Sequence, residues 1–241
     1  MGLTEWPMVV ATRPSVVALV ERFVRASAKS QGPSTRPNIA ITFDDGPHPM
    51  WTPKVLDALD VAKAKATFFV VGRNVAAHPD LVKETRRRGH EIGTHLFSHD
   101  RNTVNDDGRF ADEVKQSRDI LEALLGEPLR WLRFPYGAPG KQRPNAIRRQ
   151  FGLETAHWTY SSHDGMLTRP KDILDRVSAG MRPGAILLMH DALADEGSLP
   201  SSYVAARDAT VQALPQVGDL LAARGLAAVT LSELFAAPAG F

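Results

Sequence analysis

Asn38-Ile39-Ala40-Ile41-Thr42-Phe43-Asp44-Asp45-Gly46-Pro47 decides how the rest of the chain is read. Ile39–Phe43 is short, apolar and rich in β-branched and aromatic residues, and it stops at two carboxylates followed by Gly-Pro. That is the pattern of a buried strand whose carboxyl end delivers acids into a turn. Working outward, similar runs recur at Ala66–Val71, Glu91–Thr94, Trp131–Phe134, Glu154–Trp158, Ala185–Met189 and Ala227–Thr230. Between them, helical spacing predicts helices near Pro53–Lys63, Pro79–Arg88, Arg109–Leu125, Arg143–Gln150, Pro170–Ala179 and Tyr203–Arg224. The alternation predicts an α/β fold, a distorted (β/α) barrel of about seven parallel strands. Upstream, Pro14–Ala28 places Val16, Val17, Leu19, Val20, Phe23 and Val24 on one helical face, and Gln31–Pro37 has a connector's composition. Residues 1–37 are therefore expected to be a helical extension packed outside a domain of residues 38–241.

Composition narrows the function classes. With 29 basic and 27 acidic residues scattered along the chain, the net charge of +2 reflects no basic tract, so no nucleic-acid partner is expected. The absence of cysteine excludes disulfides, thiolate metal sites and cysteine nucleophiles. No apolar run reaches the ~20 residues of a membrane helix. Val16–Val24 is interrupted by Glu21 and Arg22 and lacks a basic leader. A cytoplasmic location is expected for the chain as written, and a secreted one if a leader has been trimmed from it.

The reactive side chains fall at strand ends. Asp44 and Asp45 follow the first strand, His95 and His99 the third, Arg133 ends the fourth, Asp164 lies beyond the fifth and His190 follows the sixth. In a parallel barrel all these ends share one face, where residues distant in sequence converge. His95 and His99 are four apart, and one helical turn would set both toward one metal ion. His90-Glu91 does not form the H-E-x-x-H helix of metalloproteases, because His95 comes one residue too late. Asp44 and Asp45, if buried together, repel unless a cation is near. An arginine such as Arg133 can hold a carboxylate ionised by charge-assisted hydrogen bonds.

In order along the chain, Thr42-Phe43-Asp44-Asp45-Gly46-Pro47, His95-Leu96-Phe97-Ser98-His99, Arg133-Phe134-Pro135-Tyr136 and Leu188-Met189-His190 resemble the motifs of the polysaccharide deacetylase family. These enzymes share the NodB homology domain and form carbohydrate esterase family 4. The resemblance runs from about Asn38 to Phe235, with Leu96 standing where the family usually has a hydroxyl residue. It implies that Asp45, His95 and His99 bind a divalent metal, that Asp44 is the catalytic base and His190 the acid, and that Arg133 orients Asp44. It further implies that Tyr136 lends its backbone N–H to the oxyanion, that Trp158 and Leu188 line the acetyl-methyl pocket, and that Asp164 pairs with His190. Around Asp164 the match is weaker, since Ser161 and Gly165 replace the usual neighbours.

The implied reaction removes acetyl groups from an N-acetylated sugar, with acetylated carbohydrate as the partner and Zn²⁺ as the expected ion. Co²⁺, Ni²⁺ or Fe²⁺ suit similar N/O ligands. Three other readings stay open: an O-acetyl esterase acting on acetylated xylan, a small-molecule deacetylase or amidohydrolase, and a non-catalytic sugar-binding module. Trp51, Trp131, Tyr136 and Trp158 are candidates either for sugar stacking or for the core.

Overall fold

Strand β1 (Asn38–Asp44) alternates Ile39, Ile41 and Phe43 toward one side with Ala40, Thr42 and Asp44 toward the other, and nearly the whole strand is buried. It is therefore a central strand with both faces covered. The structure, a computed structural model, describes residues 28–103, 106–137, 144–193 and 201–237. The helix expected over Pro14–Ala28 lies outside the described residues except for its last one.

Seven further strands follow: β2 (Ala66–Val70), β3 (Glu91–Thr94), β4 (Trp131–Leu132), β5 (Glu154–Thr155), β6 (Tyr160–Ser161), β7 (Ile186–His190) and β8 (Ala227–Val229). All pairings are parallel, in the order β5-β4-β3-β2-β1-β7-β6. β8 pairs with Asn38–Ala40 while β2 pairs with Ile41–Asp44, so the two share the length of β1. The helices are α1 (Trp51–Val61), α2 (Gly72–Ala77), α3 (Pro79–Arg87), α4 (Asp107–Leu125), α5 (Pro144–Phe151), α6 (Pro170–Gly180), α7 (Ser201–Ala223) and α8 (Leu231–Leu234). Among the described residues, no helix is long and apolar enough to cross a membrane.

The distorted parallel barrel expected from the sequence is present, with one strand more than the sequence showed. β6 spans only Tyr160–Ser161, too short to carry a period, and α2 and α8 escape the sequence reading for the same reason. The run Glu154–Trp158 pairs with β4 only over its first two residues. Beyond them it turns to Lys29, whose N–H donates to the Thr155 carbonyl (2.9 Å) and whose carbonyl accepts from His157 N–H (2.9 Å). Thr159 Oγ1 donates to the Ser30 carbonyl (2.7 Å), and Gly32 N–H donates to Gly184 O (2.8 Å). Residues 29–32 thus fill the gap between β5 and β7. Gly184, at φ 78°, admits this approach because a Cβ there would stand 2.4 Å from the Gly32 carbonyl oxygen.

Two cores divide the apolar residues. The larger lies between the sheet and its helices and contains Ile39, Ile41, Phe43, Phe68, Leu56 and Leu214. The smaller fills the interior with Ala40, Phe69, Trp131 and Ile186, floored by Leu231 and Leu234 of α8. Above this floor the inward positions turn polar, with Thr42, Asp44, Arg133 and His190.

Candidate active site

β1 and β7 run in register, so Thr42 lies beside Leu188 and Asp44 beside His190. Each pair is two residues along its strand, so all four side chains share the inward face. Arg133, fully buried just after β4, reaches across this interior and donates from Nη1 to Asp44 Oδ1 (2.8 Å) and Thr42 Oγ1 (2.7 Å). Its Nη2 donates to the His157 carbonyl (3.0 Å), and its guanidinium lies 4.2 Å from the Phe69 ring centroid. Burial alone would push the Asp44 carboxyl up. The Arg133 charge and hydrogen bond, with His95 and His190 alongside, outweigh it and hold Asp44 below the usual carboxylate range.

Asp45 Oδ1 lies 3.4 Å from His99 Nε2 and 3.7 Å from His95 Nε2, and a donor atom from each of these three buried residues falls within 4.8 Å of the others. His95 Nδ1 is 2.9 Å from the Arg133 carbonyl oxygen, which can only accept; this puts the proton on Nδ1 and leaves the Nε2 lone pair facing Asp45. Burial, then the neighbouring His95, lowers His99 to about 3, so its ring is neutral. Burial raises the Asp45 carboxyl, and Asp44 adds to the rise against the opposing pull of His190 and His95. Two imidazole nitrogens beside a carboxylate that is costly to ionise form a donor set suited to a divalent cation.

The histidine pair does not sit on a helix, as the four-residue spacing suggested. Residues 95–99 are a loop in which Leu96 (φ 66°) and His99 (φ 60°) are left-handed. Asp45 (φ 81°), Tyr136 (φ 59°) and His163 (φ 55°) share that rare conformation. Of the positive-φ residues other than glycine among those described, all but Lys63 lie in these strand-end loops. Strain of this kind collects where tertiary contacts hold a site's geometry.

His190 ends β7. Its Nδ1 is 3.0 Å from Asp164 Oδ1, and its backbone N–H donates to Asp164 Oδ2 (3.0 Å). Burial would lower the imidazole, but the Asp164 charge and hydrogen bond, helped by Asp45 and Asp44, raise it to about 9. The fully buried Asp164 is held well below the usual carboxylate range: burial opposes this, and the Arg207 and His190 charges with the His190 hydrogen bonds overcome it.

Every site residue expected from the sequence lies at this end of the barrel. Leu188 is buried, and Trp158 is half-buried, 5.8 Å from the Arg133 guanidinium. Tyr136 is exposed, its ring 4.6 Å from that of His99 and its hydroxyl donating to the His99 carbonyl (3.2 Å). Trp51 and Trp131 are buried, as core residues are. Sequence reasoning missed the supports. Arg207 on α7 donates to Asp164 Oδ2 (3.2 Å), to the Asp164 carbonyl (2.6 Å) and to the His190 carbonyl; Thr210 Oγ1 donates to Asp164 Oδ2 (3.0 Å). The signal was an arginine set among the inward positions Ala206, Thr210, Ala213 and Leu214 of an otherwise apolar helix face. Buried Asp191 accepts from Thr52 Oγ1 (2.6 Å), and Asn74 Nδ2 donates to the Asp45 carbonyl (2.9 Å).

Comparison with known proteins agrees with this architecture. The family described as Polysaccharide deacetylase matches residues 31–156. The chain is 33% identical to a chitooligosaccharide deacetylase of Bradyrhizobium sp. (strain ANU 289), over 82% of this chain and 90% of that protein. It is also 33% identical to a peptidoglycan-N-acetylglucosamine deacetylase of Bacillus cereus, over 84% of this chain and 90% of that protein. Among solved structures, the Bc1960 peptidoglycan N-acetylglucosamine deacetylase superposes with a TM-score of 0.75 at 28% identity, over 87% of this chain and 92% of that one. The chain belongs to the polysaccharide deacetylase family, the NodB-homology group of carbohydrate esterase family 4.

Proposed function

We propose that this chain is a metal-dependent N-deacetylase of N-acetylated sugars, with chitooligosaccharide or peptidoglycan glycan as the substrate class. The observation that carries the proposal is the meeting, at one end of the barrel, of the Asp45/His95/His99 donor set with an arginine-held Asp44 and a carboxylate-held His190. The similarity to chitooligosaccharide and peptidoglycan deacetylases supports the substrate class.

Asp45 Oδ1, His95 Nε2 and His99 Nε2 would hold the ion, with zinc fitting one carboxylate and two imidazoles. When bound, such an ion makes water nucleophilic near neutral pH and polarises an acyl oxygen. Arg133 occupies Asp44 Oδ1 and keeps the carboxylate ionised, so Oδ2 takes the proton of the attacking water. Tyr136, whose ring lies beside that of His99, would donate its backbone N–H to the developing oxyanion. His190, charged because Asp164 is anionic, gives its Nε2 proton to the departing nitrogen, leaving acetate and a free amino sugar. Leu188 and Trp158 would supply the apolar contacts for the acetyl methyl.

Acetate release across chitooligosaccharides, peptidoglycan fragments, acetylxylan and small N-acetylated glycosides, each with and without added Zn²⁺, tests this reading. Metal-dependent release from the first two is expected. Turnover of acetylxylan alone, or of small glycosides alone, would replace the glycan N-deacetylase assignment with one of the other hydrolase readings.

A further inference from the structure

The loop that carries both histidines has many of its backbone polar groups engaged by neighbouring elements. Leu96 N–H donates to Thr94 Oγ1 (3.1 Å), and the carbonyls of Leu96 and Phe97 accept from Gly72 N–H and Arg73 N–H (both 2.9 Å) at the start of α2. On its other side a single carboxylate takes two further amides and a hydroxyl. Glu113 Oε2 accepts from Phe97 N–H (3.0 Å) and Ser98 N–H (2.8 Å), while Oε1 accepts from Ser98 Oγ. Glu113 projects from α4, whose start is fixed by the Asp106 side chain accepting from Gly108 and Arg109 N–H (both 3.1 Å).

We infer that Glu113 is a positioning residue for the metal-holding loop: by gathering the Phe97 and Ser98 amides it sets the backbone that turns His99 toward His95 and Asp45. The inference rests on the metal reading above. Leu96 and His99 both occupy left-handed backbone, which is strained at residues other than glycine and persists only where surrounding contacts impose it. Charge-assisted bonds to a half-buried carboxylate are the strongest contacts this loop has. Leu96 sharpens the dependence, because its side chain is buried in the core and offers the loop no hydrogen bond.

The test is a Zn²⁺ titration of the metal-free full chain by calorimetry, beside thermal unfolding of the same metal-free samples. Glu113→Ala is expected to weaken Zn²⁺ binding by about 10–100-fold, the usual effect of removing a group that orients a ligand, with little change in metal-free Tm. Glu113→Gln can keep the amide bonds through its carbonyl oxygen and donate to Ser98 Oγ through its nitrogen, so it should recover most of the affinity. If Glu113→Ala does not fold, Ser98→Ala, which removes only the hydroxyl bond, should still weaken binding several-fold. Unchanged Zn²⁺ affinity in the folded variant, or a lowered Tm with unchanged affinity, overturns the inference. A wild-type chain that takes up no Zn²⁺ overturns the metal reading and this inference with it, and the wild-type arm separates the two failures.

Discussion

Asp44 and Asp45 are adjacent and chemically identical, yet their surroundings differ: Asp44 is bonded to Arg133, whereas Asp45 faces two imidazole nitrogens. Asp44→Asn should therefore keep Zn²⁺ uptake and lose about 10²–10⁴-fold in kcat, the range of general-base assistance. Asp45→Asn should weaken Zn²⁺ binding first, and the reverse pattern would exchange the two roles. For His190, raised to about 9, the charged form is present below that pH and lost above it, so the rate should fall on the alkaline side. By the same sign, the pairing contributes stability that is complete below an unfolded histidine pKa of about 6.5 and lost as pH rises through about 9. Asp164→Asn removes the charge that most raises His190 and should move the alkaline limb to lower pH; a pH–rate profile of both proteins measures it. An amine leaves poorly without a proton, so His190→Ala should cost ~10²-fold or more on an N-acetyl sugar and much less on an activated acetate ester. Equal losses on both would make His190 a positioning group.

At the scale of elements, the site depends on the closeness of β2, β3 and β4. Gly93 of β3 faces the interior, where a Cβ would lie 2.7 Å from the Phe69 ring and 3.1 Å from the Trp131 carbonyl. Phe69 in turn packs under the Arg133 guanidinium. Gly93→Ala should cost about 1–3 kcal/mol by overpacking, read by urea denaturation. It should also lower kcat, because the displaced ring sits between the floor of the barrel and the arginine that holds Asp44. A stability loss with full activity would show that the floor and the site relax independently. α7 has a comparable role on the other side, where Arg207 and Thr210 converge on Asp164.

For the whole molecule, the three donor residues come from the ends of β1 and β3 and meet only in the folded state. An ion bound there stabilises the native state over the unfolded chain. Zn²⁺ at about 1,000 times its Kd should add about 4 kcal/mol and raise Tm. Chelation should reverse the gain, and His95→Ala should abolish it; a Zn²⁺-dependent Tm that survives in His95→Ala would place the ion elsewhere. Closure of the sheet is a whole-molecule property as well, since residues 29–32 join β5 to β7 across a gap that neighbouring strands leave open.

By itself the sequence determined the parallel α/β architecture, because strand residues such as Ile39–Phe43 and Ala185–Met189 are apolar enough to be buried on both faces and are separated by helical periods. It also determined which side chains gather, because strand ends of a parallel barrel share one face wherever the intervening helices lie. Short elements stayed hidden: Tyr160–Ser161 is a strand only because β7 offers it hydrogen bonds. Tertiary structure alone decided that His95 and His99 meet through a left-handed loop. Local preference does not select that conformation at leucine and is weak at histidine, and it exists because Thr94, Gly72, Arg73 and Glu113 each take up part of the loop's backbone. Likewise Glu113 lies on a helix whose exposed and half-buried polar residues look alike in sequence, and only the packing of α4 beside the loop turns it toward the site.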